Sequence, residues 1–246
     1  MKNEMTSEGQ CLFCQKMILK SGINKHLNQH LVETENTSKV TAQAFHLQVL
    51  PVVRYSGGSK LYFINLLVDG GSRLFDLDTF LRQIWLECCG HMSSFRVKGK
   101  QYNDNFDDIN ADIGEKQSQK MSKIFEEGMI LDYEYDFGST TELQIKVVKA
   151  LSLKVPESVQ LLSRNEPLPI LCDICQQEPA TVLCSIHVGD KESSFCDSCG
   201  KKHAKKCEDF ADYAELPIVN SPRLGECAYD GGSIDLERDG VFKIKK

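Results

Sequence analysis

The chain alternates apolar and polar positions with the period of β-strands and then changes to the period of a helix. Residues 45–55 and 60–68 alternate well enough for two strands, joined across the Gly-rich turn 56–59. After this pair the apolar positions fall on one helical stripe: Leu77, Phe80, Leu81, Ile84, Trp85 and Cys88. Asp76 is placed to cap the start of this helix and Gly90 to end it. Strand, strand, helix predicts the opening of a β-grasp-like layer.

A second strand pair is predicted further along. Residues 131–137 alternate aromatic with acidic side chains, and residues 142–150 alternate again after the turn 138–140. The stretch 103–115 between helix and second pair is acidic and poor in core residues, so it predicts a loop. These elements together predict an α+β fold with a β-grasp-like central domain.

Composition changes this picture little. The chain has 246 residues, 41% hydrophobic and 26% charged, which is ordinary usage for a folded protein. No apolar run approaches the ~20 residues of a membrane helix, and the start MKNEMTSEGQ lacks the apolar core of a signal peptide, so we expect a soluble, cytoplasmic protein without membrane contact. The net charge of −6 restricts any nucleic-acid contact to local basic patches.

Cysteine usage points to metal. Of 11 Cys and 6 His, 12 lie in the windows 11–30 and 172–207. In a reducing compartment such clusters are more often zinc ligands than disulfides, because thiols stay reduced there. We therefore predict three zinc ions, each held by four protein side chains, which leaves no coordination position open for catalysis.

The N-terminal window predicts a two-cysteine, two-histidine zinc finger. Its ligands are Cys11, Cys14, His26 and His30. Two cysteines two residues apart suit a tight knuckle, and two histidines four apart leave one face of a helix. Ser21 is the expected helix cap, with Ile18 and Ile23 in a small core that depends on the metal. A lone finger binds DNA weakly, so DNA and protein remain equal candidates for its partner.

The C-terminal window carries four evenly spaced ligand pairs and predicts two zinc ions. In an interleaved cross-brace, similar to a B-box or MYND finger, the ligand sets are Cys172, Cys175, Cys196 and Cys199 for one ion and Cys184, His187, His203 and Cys207 for the other. A sequential arrangement, with the first four residues on one ion and the last four on the other, is the alternative. His203 and Cys207 are expected four residues apart on one short helix.

Two features allow an enzymatic hypothesis. Cys88, Cys89 and His91 could form a thiol-imidazole pair, and Glu134 with Asp136 could be paired carboxylates. The structural alternatives are a core role for Cys88, which continues the apolar stripe, and a strand with one wet face for the two carboxylates. The sequence leaves the roles of Cys88, Cys89, His91 and Cys227 open.

Four strings resemble a known family: LDTFLRQIWLECCGHMSSFRV (77–97), YEYDFGSTTELQIKVV (133–148), RNEPLP (164–169) and LPIVNSPRLGECAYDGG (216–232). They resemble the plasmid pRiA4b ORF-3-like family, specifically its zinc-bearing branch, whose members are often passengers of insertion sequences. The resemblance covers about residues 40–232. It implies a prokaryotic cytoplasmic protein with an α+β core, of mobile-element type, and no established activity.

The predicted organisation is a finger at 1–32, an α+β domain at 40–165, a two-zinc module with the family's C-terminal segment at 170–232, and a tail at 233–246. The favoured function is a non-enzymatic zinc-binding adaptor or nucleic-acid-associated accessory protein, and the alternative is an enzyme using a cleft near His91, Glu134 and Asp136. A purely structural passenger is a third hypothesis. We expect a protein partner, with weak nucleic-acid contact through Lys16, Lys20 and Lys25 or through Lys201, Lys202, Lys205 and Lys206.

Overall fold

A computed structural model describes residues 6–40, 42–53, 60–103 and 115–234. These residues form two compact units. The first takes the described residues of 6–52, 60–81 and 91–166, and the second takes 53, 82–90 and 167–234. Within the described ranges, no helix is both long and apolar enough to cross a membrane. The architecture is mixed α and β with mostly antiparallel sheets, while the finer β-grasp assignment stays a prediction.

The first unit is built on an eight-stranded sheet. In chain order its strands are β3 (Gln43–Pro51), β4 (Ile64–Asp69), β5 (Ser93–Val97), β6 (Lys100–Asn103), β7 (Glu115–Lys116), β8 (Ile130–Tyr135), β9 (Thr141–Ser152) and β10 (Val159–Arg164). They lie side by side as β10-β4-β3-β9-β8-β5-β6-β7, and every neighbouring pair is antiparallel except β6 with β7. Antiparallel neighbours can be joined by short turns, as β5 is to β6 and β8 is to β9.

Both predicted strand pairs are present. Strands β3 and β4 pair antiparallel, and so do β8 and β9, with residues 136–140 between the latter two. Along β8 the side chains of Tyr133 and Tyr135 are fully buried while Asp132 is exposed, as expected for a strand with one wet face. The predicted turn at 56–59 and most of the predicted loop at 103–115 lie outside the described residues, as does the tail beyond residue 234.

The predicted helix begins earlier and ends earlier than the stripe indicates. Helix α2 spans Leu74–Leu81 and continues as a π-helical turn, Arg82–Leu86. Asp76 lies in the first turn, where its carboxylate accepts the Arg73 backbone N–H at 2.7 Å. The chain leaves the helix before Cys88, so the prediction that Cys88 continues the buried stripe is wrong.

The N-terminal segment packs on the sheet and shares its core. Strands β1 (Glu8–Gln10) and β2 (Met17–Leu19) form a hairpin that leads into helix α1 (Lys20–Thr37). The buried side chains of α1 belong to one cluster with residues of the sheet and its connections: Ile23, Leu27, Leu31, Ala44, Phe63, Leu67, Leu151, Leu153, Val155 and Leu162. The predicted finger, expected to have only a small core that depends on its metal, therefore also shares the core of the central sheet.

Backbone contacts join the same two parts. The Leu12 N–H donates to the Leu162 carbonyl at 3.0 Å, and the Glu166 N–H donates to the Glu8 carbonyl at 2.9 Å. Gly9 lies so close to the Arg164 backbone that a side chain there would clash with it. A glycine at this position therefore lets the hairpin approach the edge of the sheet.

The second unit contains a small three-stranded sheet and short helices. Strand β11 (Val182–Cys184) lies between β12 (Ser194–Phe195) and β13 (Glu215–Pro217), both antiparallel to it. Helix α3 spans Asp197–His203, and a π-helical turn covers Phe210–Ala214. Cysteines make up half of the main buried cluster in this unit: Cys172, Val182, Cys184, Phe195, Cys196, Cys199, Phe210 and Ala214. So small an apolar core calls for another source of stability.

The buried imidazole of His46 gives a testable pH dependence. It lies between the amide oxygens of Asn28 and Asn65, each 2.9 Å away, and burial lowers its pKa from 6.5 to about 4. Below pH 6.5 the unfolded chain therefore binds a proton that the folded chain excludes. The contribution of neutral His46 to the free energy of unfolding is fully present above pH 6.5 and falls as the pH drops. It levels off below about pH 4, after a loss on the order of 3 kcal/mol.

Urea denaturation from pH 7 to pH 4 on the parent chain and on His46→Gln checks this. Metal ligands also protonate in this range, but they do so in both proteins, so the difference between the two profiles isolates His46. We expect the parent to lose more stability than the variant on acidification. Parallel profiles would contradict the assignment.

Candidate metal centres

The first candidate centre lies between the β1–β2 hairpin and helix α1. Cys11 and Cys14 lie on the turn of the hairpin, where the Cys11 N–H donates to the Lys16 carbonyl at 2.9 Å. His26 and His30 lie one turn apart on α1, and the Cys14 sulfur is 3.3 Å from Nε2 of His26. The ligand atoms of all four residues lie within 4.8 Å of one another.

Neighbouring groups pack against these ligands and favour the neutral form of His26. The Phe13 ring stacks on His30 with centroids 5.2 Å apart. Burial, together with the charges of His30 and Lys16, lowers the pKa of His26, which favours the neutral imidazole that a metal requires. Ile23 is buried and Ile18 packs against the same cluster, as predicted. Ser21 is not the helix cap, because α1 begins at Lys20 and has no side-chain cap.

The second candidate centre gathers Cys172, Cys175, Cys196 and Cys199 within 4.8 Å. The sulfurs of Cys175 and Cys196 are 3.9 Å apart. A hydrogen bond with the Ser198 hydroxyl is the main cause that lowers the pKa of Cys196 to about 6, so this thiol ionises readily. Burial raises the pKa of Cys199 to about 11, and a nearby cation would be needed to hold it as thiolate at neutral pH.

The third candidate centre gathers Cys184, His187, His203 and Cys207. Nδ1 of His187 lies 3.1 Å from the Cys184 sulfur, and the Phe195 ring stacks on His203 at 4.4 Å between centroids. Nε2 of His203 is buried and has no hydrogen-bond partner among the described residues. Helix α3 ends at His203 instead of reaching Cys207, although the Cys207 N–H still donates to the His203 carbonyl at 2.9 Å.

These two centres follow the interleaved arrangement and not the sequential one. Each draws one ligand pair from the first half of the window and one pair from the second half. The resemblance to a B-box or MYND finger in finer detail stays a prediction.

The donor chemistry of all three groups fits zinc. With Zn–S at about 2.3 Å and Zn–N at about 2.0 Å, a tetrahedral site separates two sulfurs by ~3.8 Å and a sulfur from a nitrogen by ~3.5 Å. The distances between ligand atoms, 3.9 Å, 3.3 Å and 3.1 Å, lie near those values. Four protein ligands fill a tetrahedral ion, so zinc in these groups would supply a structural cross-link and no reactive position.

A fourth group was not foreseen as a metal centre. It consists of Cys88, Cys89, His91 and Cys227, again with all ligand atoms within 4.8 Å of one another. Cys88 is half-buried, while Cys89 and Cys227 are exposed. Hydrogen bonds with the other two thiols are the main cause that raises the pKa of Cys89 to about 12. A count of unassigned cysteines could have indicated this group, because three of the 11 remain once eight are assigned to the three predicted zinc sites.

The histidine and the two carboxylates of the enzymatic hypothesis lie in two separate contacts. Nε2 of His91 lies 3.5 Å from a carboxylate oxygen of Asp136, and the Arg96 guanidinium lies 3.4 Å from the carboxylate of Glu134. Asp136 follows β8, with a backbone φ of 64° that is unusual for a residue other than glycine. The pairing of His91 with Asp136 and of Glu134 with Arg96 adds nothing to the enzymatic hypothesis.

The predicted basic patches differ in how free their lysines are. Lys201, Lys202, Lys205 and Lys206 are all exposed, as are Lys16 and Lys25 on the N-terminal segment. Lys20 instead donates to the backbone carbonyls of Lys60 and Tyr62, and burial lowers its pKa. The N-terminal patch therefore offers two exposed lysines and not three.

Most of the sheet of the first unit lies in a segment that matches a known protein family. Residues 63–167 match the model of the plasmid pRiA4b ORF-3-like protein family. The family resemblance is thereby confirmed for these residues. The pRiA4b ORF-3-like segment includes β4 to β10 and His91, and it excludes the first, second and third candidate centres.

Other comparisons add little. One similar solved structure is the crystal structure of a protein of unknown function, MM3350, from Methanosarcina mazei Go1. It is 15% identical, with a TM-score of 0.41, and the match covers 50% of this chain and 68% of that one. None of the curated proteins matches this chain.

Proposed function

We propose that this protein is a non-enzymatic adaptor in which structural zinc holds a binding surface in shape, and that its partner is a protein. The observation that carries the proposal is the set of three complete four-ligand groups, none of which leaves a coordination position for chemistry. An accessory role in a prokaryotic cytoplasm, of mobile-element type, is part of the same proposal.

Packing of the N-terminal segment supports a protein partner over DNA. Helix α1 buries one face in the core and turns His26 and His30 towards the candidate centre, so its exposed residues lie on the remaining side. A stripe on that side, called here the α1 stripe, carries Ser21, Lys25, Gln29, Glu33 and Asn36. One carboxylate against one ammonium leaves the stripe without net charge, so it offers no net attraction for phosphate. A polar face of balanced charge suits a protein partner better.

Nucleic-acid binding is expected to be weak and independent of sequence. The lysines near the third centre, Lys201, Lys202, Lys205 and Lys206, could contact at most four phosphates, and the chain as a whole carries −6. Binding should then fall with salt at about −0.9 per contact, for a slope no steeper than roughly −4. Fluorescence anisotropy with labelled duplex and single strands at several salt concentrations measures this slope.

The control in that assay is a chain with all four of these lysines changed to alanine, which should abolish the residual binding. Nanomolar, sequence-selective binding at physiological salt would overturn the protein-partner proposal. In that case the α1 stripe would be the DNA-reading surface of the finger.

A protein partner is tested with variants on the α1 stripe. The tagged full-length chain, Lys25→Glu with Gln29→Ala, and the control Lys154→Glu are each recovered from the native host under identical conditions. We expect one protein to be retained stoichiometrically by the parent and by the control but lost from the stripe variant. Equal zinc content in all three excludes misfolding as the cause. A partner retained equally by all three would place the binding surface elsewhere.

A further inference from the structure

Every cysteine of this chain belongs to a group of possible metal ligands once the fourth group is counted with the other three. All 11 cysteines lie in the four groups of donor atoms, and so do five of the six histidines. The remaining histidine, His46, is the buried one that burial keeps neutral. No cysteine therefore serves only as a packing residue, and three of them converge outside the centres described above.

Sulfur separations in the fourth group suit a shared cation. The Cys89 sulfur lies 3.5 Å from that of Cys88 and 3.6 Å from that of Cys227. These values lie near the ~3.8 Å edge of a tetrahedral zinc site and well beyond the ~2.05 Å of a disulfide bond. Three sulfurs at these separations can therefore act as ligands of one divalent cation.

A buried cationic side chain contacts one thiol of the group. The Arg223 side chain is fully buried, and its Nη2 donates to the Cys88 sulfur at 3.5 Å. A zinc ion with three thiolates and one imidazole carries a net charge of −1, which this guanidinium would offset. Zinc-bound sulfur at Cys88 would thus place a negatively charged group beside the buried Arg223 side chain.

His91 has the partner that a zinc-bound histidine usually has. A carboxylate oxygen of the buried Asp136 lies 3.5 Å from Nε2 of His91, and its other carboxylate oxygen accepts the Gly138 N–H at 2.9 Å. Metal-ligating histidines commonly give one ring nitrogen to a carboxylate and the other to the metal. His91 follows Cys89 by two residues, so the chain itself keeps the imidazole near two of the thiols.

We propose that Cys88, Cys89, His91 and Cys227 bind a fourth zinc ion. The three cysteines belong to the second unit, where this ion would tie residues 88 and 89, just after the π-helical turn, to the segment that contains Cys227. Hydrogen bonds already run between the same two stretches, since the Ser221 hydroxyl donates to the Trp85 carbonyl at 2.7 Å. The cross-link joins residues 138 positions apart, and closing so long a loop restricts the unfolded chain.

Exposure separates this ion from the other three. Cys89 and Cys227 are exposed, whereas each of the other centres contains at least one buried cysteine. A chelator in solution reaches exposed thiolates first, so we infer that the fourth ion exchanges fastest. The inference is independent of the adaptor function, because none of these residues belongs to the α1 stripe.

Zinc content of the full-length chain, purified without chelator under anaerobic conditions, tests the proposal. The parent should hold about four zinc ions, matching the four groups, while Cys227→Ser and Cys89→Ser should each hold about three. Both residues are exposed, so neither substitution should prevent folding. Met92→Ala, at an exposed neighbour that offers no ligand, is the control and should keep four.

Two further readouts keep the result unambiguous. Titration of the parent with a chelator should release one ion ahead of the rest, and that first phase should be missing in Cys227→Ser. A parent chain with three zinc ions and an unchanged count in both cysteine variants would overturn the proposal. So would a disulfide between Cys89 and Cys227 in the anaerobically purified chain.

Discussion

Cys172→Ser is expected to unfold the two-zinc module of the second unit. The Cys172 side chain is fully buried, and it supplies one of the four sulfurs of the second candidate centre, in a module whose main buried cluster is half cysteine. A structural zinc ion contributes on the order of 10 kcal/mol to a small domain, more than such a core could replace. The interleaved arrangement extends the effect to the adjacent centre, because the chain between Cys175 and Cys196 carries two of that centre's ligands, Cys184 and His187.

Zinc content and amide hydrogen exchange measure this effect. We expect the variant to lose about two zinc ions, one from each interleaved group, and to lose exchange protection across 172–217. Lys202→Ala, on the exposed face of α3, is the matched control and should retain both. If Cys172→Ser kept its zinc and its protection, the assignment of this ligand set would be wrong.

His26→Ala is expected to destabilise the whole first unit and not the finger alone. Without its metal the hairpin no longer holds α1, and Ile23, Leu27 and Leu31 lose their fully buried positions against the sheet. Burial of each such side chain contributes about 1.5–3 kcal/mol, so the unit should lose roughly 5 kcal/mol. The thermal unfolding midpoint and the hydrogen-exchange protection of β3 and β9 both measure this loss of stability.

Gln29→Ala is the control for this substitution, because Gln29 is exposed on the same helix and is not one of the four candidate ligands. We expect its transition to match that of the parent. A His26→Ala chain that loses one zinc ion while the sheet melts unchanged would show instead that the finger folds independently of the sheet.

Local patterns in the sequence were sufficient for the parts of the fold that local patterns determine. Alternation located β3 with β4 and β8 with β9, and ligand spacing located the finger and both interleaved centres. Each of these signals lies within a short stretch of chain, where backbone geometry alone relates the residues.

Long-range packing was beyond such signals. Nothing in the spacing of Ile23 and Leu27 shows that they meet Leu151 and Leu162 in one core. Cys88 was mistaken for a core residue because it continues the helical period, although the helix ends before it. The third thiol of its group, Cys227, lies 138 positions beyond Cys89, and one isolated cysteine carries no spacing signal at all.

The order of ligands along the chain dictates an order of assembly during synthesis. The finger set is complete when His30 has been made, but the two interleaved sets wait for Cys199 and Cys207, and the fourth waits for Cys227. At about 5–20 residues per second, roughly ten to thirty seconds separate the first set from the second. Cys88 and Cys89 stand on the nascent chain without their third thiol until Cys227 is made, 138 positions after Cys89, and until then they are exposed to oxidation and to binding the wrong metal.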